Sequence, residues 1–332
     1  MINVLIAGYG SIGKRHLENL SQFKDVQLTV YTKRTDLDAL KQQGIIVSNS
    51  LSECLKQNQD VGFITNETSM HIPLAIKLAK EGLDLFIEKP LSDSLKNTKK
   101  LHSIIKSKNL ITQMGCNLRF HPSIKKIKNM IDHNKIGKIL SVQVQSCSYL
   151  PDSHRWEDYR NSFASRKDLG GGVILTNGIH EIDYLYWFFQ DVKNVVSMSG
   201  HLSDLNILVE DYASSLLKFK NNVMGEVHFD YFQRPDFKSC KIRGTKGEIY
   251  WNSENNSVNV FNINKKKWET KFETGFSHNL DTYSSYIEEL KHFIKCVKSR
   301  TETINNLEQG ITTLKIALAI KKSSKLMKSV NI

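Results

Sequence analysis

An α/β fold is expected, with an N-terminal doubly wound parallel sheet followed by an α+β domain on a large open, mainly antiparallel sheet. Three features of the sequence lead there. Up to about Arg119, short apolar runs alternate with amphipathic helical segments. A glycine-rich turn follows the first of those runs. Beyond Arg119 the strand-like segments lengthen and alternate apolar with polar residues. A chain of 332 residues is long for one core and suits two domains, placed at 1–119 and 120–332.

The elements follow in order. Residues 4–7 form a short apolar strand that runs into the glycine turn, and residues 14–20 are helical. Residues 26–31 are a strand, and residues 36–43 a helix stopped by Gly44. Ser52 opens another helix, residues 61–65 are a buried strand, and residues 72–80 are a helix closed by Gly82. Residues 83–87 complete a series of β-α-β units, which implies parallel strands with right-handed crossovers. In the second part, residues 139–149, 212–219, 223–231 and 248–251 read as strands. Leu307, Ile311, Leu314 and Leu318 have helical spacing within residues 307–327 and suit a core or a subunit contact.

Composition narrows the function. Apolar residues make up 40% and charged residues 24%, a globular balance. The start, MINVLIAGYG, reads as a first strand and not as a signal peptide, and no apolar run reaches bilayer length, so a cytoplasmic location away from membranes is expected. The five cysteines are widely spaced and form no C-x-x-C pair, which argues against a disulfide framework and against a metal site. The formal charge of +12 comes from lysines spread along the chain without stacking aromatics, so no nucleic-acid partner is expected. Such a surplus still draws in anionic ligands.

Gly8-Tyr9-Gly10-Ser11-Ile12-Gly13 is a complete G-x-G-x-x-G between a strand and a helix. Gly8 allows the tight turn, Gly10 lets a pyrophosphate approach the backbone, and Gly13 lets the helix pack on the strand. The helix N-terminus then offers unpaired N–H groups to the anion. This context makes the N-terminal sheet a Rossmann domain that binds a nicotinamide dinucleotide. At the end of the second strand, where NAD-binding domains place a carboxylate on the ribose, the sequence has Tyr31-Thr32-Lys33-Arg34. Lys33 and Arg34 suit a 2′-phosphate, so NADP is favoured over NAD.

Two further segments make a family visible. Glu88-Lys89-Pro90-Leu91 ends a strand of the cofactor domain, and Gly170-Gly171-Gly172 is followed by Gly178, His180 and Asp183. With the glycine turn, residues 66–75 and residues 115–122, this ordered set resembles the Gfo/Idh/MocA oxidoreductases along the whole chain. The stretch 149–166 is similar to a subgroup from bacterial surface-sugar pathways. The resemblance implies reversible hydride transfer between NAD(P) and a secondary hydroxyl or keto group of a sugar, nucleotide sugar or related polyol. It also implies a homodimer or homotetramer assembled through the C-terminal sheet, and it adds Asn66, His71, Glu88 and Lys89 to the cofactor contacts.

The proton chemistry falls to Lys89 and His180. A lysine at the carboxyl end of a parallel strand can stabilise a developing alkoxide. A histidine titrates near neutrality and suits a general acid or base. The family usually carries Asp four residues before this histidine; here Thr176 stands, which holds no charge. Asp183, three residues after His180, either substitutes or makes a contact between elements. Arg119, Tyr149, Trp156, Arg160 and Arg166, with Thr176 and His180, are the candidate substrate contacts, although each arginine fits an internal salt bridge equally well. A non-catalytic dinucleotide-binding sensor or scaffold is the alternative to an enzyme.

Overall fold

Strand β1 (Ile2–Ala7), β2 (Val26–Tyr31), β3 (Ile46–Ser48), β4 (Val61–Ile64), β5 (Asp84–Glu88) and β6 (Thr112–Gly115) form one parallel sheet in the order β3-β2-β1-β4-β5-β6. The crossovers are α1 (Ser11–Leu20), α2 (Asp38–Gln42), α3 (Leu51–Leu55), α4 (His71–Lys80) and α5 (Thr98–Ser107). Val4, Ile6, Phe63 and Phe86 are wholly buried, as befits a parallel sheet covered on both faces. The strand order reverses between β1 and β4. Doubly wound sheets bind ligands outside the carboxyl ends of the strands at such a point.

The remaining elements begin with α6 (Pro122–Asp132), β7 (Ile139–Tyr149), α7 (Leu150–Ser153), α8 (Val173–Thr176) and α9 (Gly178–Phe189). Strands β8 (Val192–Gly200), β9 (Tyr212–Phe219), β10 (Met224–Asp230), β11 (Phe232–Gly244), β12 (Gly247–Asn252), β13 (Val258–Asn262) and β14 (Lys267–Phe272) follow. The chain closes with α10 (His278–Ser299), α11 (Leu307–Leu326) and β15 (Val330–Asn331). Among the described residues β7–β15 make a nine-stranded sheet, ordered β14-β13-β12-β11-β7-β10-β9-β8-β15. Its one parallel pair is β7 with β10, and the other pairs are antiparallel. Residues alternate in and out along each strand: Val195, Ala213 and Leu217 are buried, whereas Val196, Met198, Leu216 and Met224 are exposed on the open face.

In this computed structural model, which describes residues 1–153 and 158–332, the chain divides into two units. The first is Met1–Cys116 with Tyr286–Ile311, and the second is Asn117–Ser285 with Thr312–Ile332. A single boundary after residue 119 therefore misses the return of residues 286–311 to the first unit. Packing explains that return. Leu290, Phe293, Ile294 and Val297 form one stripe of α10 and join the core of Ile6, Phe63 and Phe86. The Phe293 ring meets Phe63 and Phe86 edge-on at 5.7 and 5.6 Å. Each such side chain contributes roughly 1.5–3 kcal/mol when buried. Among the described residues no helix is long and apolar enough to cross a membrane. None of the five cysteines forms a disulfide, and all are buried.

Candidate active site

The glycine turn sits at the strand-order reversal of the first unit. Gly8 has φ +118°, and a Cβ there would lie 2.5 Å from the Asn66 amide nitrogen, so the turn closes against the end of β4. A Cβ on Gly13 would lie 2.2 Å from the Gly8 carbonyl oxygen, which is how closely α1 approaches β1. Thr65 locks this packing by donating its hydroxyl hydrogen to the Gly8 carbonyl at 2.8 Å. Gly10 differs: a Cβ there would meet nothing within 4 Å. The turn is closed behind and open in front.

The features around that opening fit a dinucleotide. Gly10 caps α1 without any side-chain hydrogen bond, so the helix N-terminus is available to a phosphate. Ser11 is exposed and Ile12 half-buried beside it. Asn66 Oδ1 is buried with no hydrogen-bond partner among the described residues, an orphaned acceptor suited to a ribose hydroxyl or an amide. Burial and then Glu18 push the Tyr9 phenol up, while the charge of Arg34 pulls it down, so Arg34 bears on the turn electrostatically. Thr32 is buried and accepts the Arg34 backbone N–H at 3.3 Å, and Lys33 and Arg34 are exposed.

Glu88 and His71, expected at the cofactor, each make supporting contacts within the first unit. Glu88 is 4% exposed at the end of β5. One carboxylate oxygen pairs with His16 Nε2 at 2.6 Å, and the other accepts the Lys89 backbone N–H at 3.1 Å. The room for this carboxylate comes from Gly115 on β6, where a Cβ would lie 2.8 Å from Glu88 Oε1. Lys89 thus leaves the sheet from a fixed backbone, its side chain half-buried. The His71 ring nitrogens lie 2.9 Å from the Pro90 carbonyl and 3.0 Å from the Asn66 carbonyl, tying the two loops together. Burial holds the His71 pKa below its ordinary value, so the ring is neutral and donates to one of the two.

In the second unit the glycine run Gly170-Gly171-Gly172 leads into α8 and α9. Gly172 has φ +109°, and a Cβ there would collide with the Glu210 carboxylate at 2.4 Å. Thr176 is buried: its hydroxyl lies 3.0 Å from the Gly172 carbonyl and in contact with the Tyr231 hydroxyl. Thr176 is therefore engaged within the fold. His180 is half-buried in the first turn of α9.

The substrate contacts fare unevenly. Arg119 is fully buried, with Nε and an Nη donating to the two Asp183 oxygens at 2.7 and 2.8 Å. Its place as a substrate grip is corrected to an internal salt bridge, and the same fork engages Asp183 between elements. Tyr149 carries the Arg234 guanidinium 3.2 Å from its ring centroid. Arg160 and Arg166 line one open recess with Lys167, Asn206, Ile207 and Leu208, each exposed and paired with Asp158 or Asp168. Trp156 lies outside the described residues.

Sequence reasoning missed His16, whose ring is packed by Phe63 and Phe86 and whose partner is 72 residues away. It also missed the pair of His121 and His278, 3.2 Å apart. Burial, aided by Lys238, pushes His121 down to about 4, and burial with the neighbouring His121 pushes His278 down to about 3, so both are neutral.

Residues 2–116 match the model of an oxidoreductase family with an NAD-binding Rossmann fold, and residues 124–250 match the GFO/IDH/MocA C-terminal domain. The chain is 28% identical to the myo-inositol 2-dehydrogenase of Thermotoga maritima, over 98% of this chain and 97% of that protein. It is 25% identical to the scyllo-inositol 2-dehydrogenase (NAD(+)) of Bacillus subtilis, over 80% of this chain and 75% of that protein. A solved levoglucosan dehydrogenase in complex with NADH shares the fold, with a TM-score of 0.87 at 19% identity, covering 100% of this chain and 99% of that one. The chain belongs to the Gfo/Idh/MocA oxidoreductases, with an NAD-binding Rossmann domain at its N-terminus.

Proposed function

We propose that the protein transfers hydride to or from a secondary hydroxyl or keto carbon of a sugar, nucleotide sugar or related polyol in the cytoplasm, with NADP preferred to NAD. The observation that carries this reading is the turn from Gly8 to Gly13: closed behind by Thr65 and Asn66, open in front of Gly10, and backed by an uncapped helix. Relatives named as dehydrogenases of inositols support the substrate class. Hydride transfer is the chemistry a bound nicotinamide supplies. Lys89, steadied by the Glu88–His16 pair, donates a hydrogen bond to the reacting oxygen and stabilises its alkoxide character. His180 accepts the hydroxyl proton in oxidation and returns it in reduction.

The cofactor preference rests on Lys33 and Arg34, which are exposed and have no carboxylate within ion-pair distance among the described residues. Fluorescence titration of the wild type is expected to give tighter NADPH than NADH binding. Lys33→Ala/Arg34→Ala should weaken NADPH by about tenfold or more, at 1.4 kcal/mol per decade, and leave NADH nearly unchanged. Tighter NADH binding by the wild type would reverse the preference.

Copies of the chain pair through the open face of the second sheet, where Val196, Met198, Leu216 and Met224 expose apolar surface. A monomeric mass by light scattering would contradict this assembly. Thr176 in place of a carboxylate favours the sensor alternative, and the retained Lys89 and His180 weigh against it.

A further inference from the structure

The register of the parallel pair β7–β10 sets Cys147 beside Asp230 and Gln145 beside His228. Side chains alternate across a sheet, so His228 and Asp230, two residues apart, share a face. Phe229 between them packs against Gly178 of α9, which turns the His228–Asp230 side away from that helix. There a thiol sulfur, an imidazole nitrogen and a carboxylate oxygen lie within 4.8 Å of one another. His228 Nε2 and Asp230 Oδ2 are 3.0 Å apart.

We propose that Cys147, His228 and Asp230 form a binding site for a divalent transition ion of the zinc class, separate from the proton-transfer machinery. The donor set is the first reason. Sulfur, imidazole and carboxylate together suit zinc or a similar borderline ion, and a thiolate with a carboxylate balances its charge. Donor separations around a tetrahedral zinc are roughly 3–4 Å, so side-chain adjustment alone closes the site.

The second reason is the support around the donors. Asp230 Oδ1 accepts the backbone N–H groups of Phe232 and Gln233 at 3.1 and 2.9 Å, which leaves Oδ2 aimed into the cluster. Tyr212, opposite Asp230 on β9, stands edge-on to the His228 ring at 5.2 Å and restricts its rotation. Outer contacts of this kind orient metal ligands. Access is the third reason. Cys147 and the Asp230 side chain are 2% and 3% exposed, whereas His228 is 28% exposed, so an ion enters past the imidazole and keeps a fourth position for water. Binding displaces the Cys147 thiol proton to solvent, and His228 exchanges its hydrogen bond to Asp230 for a bond to the ion through a ring nitrogen that carries no proton.

The probe is Co²⁺ added to full-length, chelator-treated protein, followed by Zn²⁺. A thiolate-to-cobalt charge-transfer band in the near ultraviolet is expected, saturating at one ion per chain and bleached by Zn²⁺. Cys147→Ser should abolish the band. Cys240→Ser, another buried cysteine of the same sheet, should keep it. His228→Ala, at a half-exposed position that tolerates truncation, should weaken Co²⁺ by more than the roughly 10–100-fold typical of lost outer-shell contacts. Zn²⁺ should also raise the Tm of the wild type and not of Cys147→Ser. No band in the wild type, a band surviving in Cys147→Ser, or unchanged affinity in His228→Ala would each overturn the site.

Discussion

Lys89→Ala and His180→Ala are each expected to lower kcat by about 10²–10⁴-fold, the usual cost of removing a positioned acid–base or oxyanion-stabilising group. Cofactor affinity should hardly change, because neither side chain forms the turn from Gly8 to Gly13. Lys89 stands on a backbone N–H held by Glu88, itself paired with buried His16, so its truncation removes charge without loosening the strand end. The absence of a carboxylate at position 176 gives a companion result. An anion near an imidazolium favours the charged form, so Thr176→Asp should raise the apparent pKa of the pH–rate profile. Steady-state kinetics on a turned-over sugar substrate check all three variants. Full turnover by His180→Ala would move the proton to another group.

Arg119→Ala is expected to destabilise the protein by about 3–5 kcal/mol, because it leaves the Asp183 carboxylate buried without its fork. Both partners lie out of solvent, at 0% and 2% side-chain exposure, and two charge-assisted hydrogen bonds join them. The Trp187 ring, 5.8 Å from the guanidinium, loses a cationic neighbour as well. The double variant Arg119→Met/Asp183→Leu should regain most of the loss, since replacing a buried pair with apolar residues of similar size is often neutral. Urea midpoints of the wild type, Arg119→Met, Asp183→Leu and the double variant form the cycle, with Arg119→Ala measured beside it. A raised KM without loss of stability would return Arg119 to the substrate.

The first unit was legible in the sequence because its signals are local. The run from Val4 to Ala7, the glycine turn, and the Gly44 and Gly82 stops give β1, β2, β4, β5 and α1–α4 to within a few residues, whereas β3, α5 and β6 went unread. The second sheet was half legible. Residues 139–149 and 212–219 alternate cleanly and form β7 and β9, whereas β11 carries Arg234-Pro235-Asp236 and β14 is mostly exposed, which hides the period. The helix α10 went unread although Leu290, Phe293, Ile294 and Val297 keep helical spacing. Its partners Phe63 and Phe86 lie far back in the chain.

At the site, residue types were legible and their partners were not. Glu88 and His71 were placed at the cofactor by the family resemblance, and the partners that hold them, His16, Pro90 and Asn66, show only in the fold. Arg119 meets Asp183 across 64 residues, a pairing no local pattern encodes. Cys147 joins His228 and Asp230 only through strand register, which is why cysteine spacing alone argued against a metal.

The central claim is that a nicotinamide dinucleotide lies against Gly10, and one substitution tests it most directly. Gly10 has an extended backbone, φ −80° and ψ −166°, and a Cβ there would meet nothing within 4 Å, so valine fits the fold without strain. Its side chain would fill the space assigned to the pyrophosphate. Titration of Gly10→Val with NADPH should show affinity reduced by about 100-fold or more, some 2.7 kcal/mol, with Tm unchanged. Wild-type affinity in Gly10→Val would contradict the account.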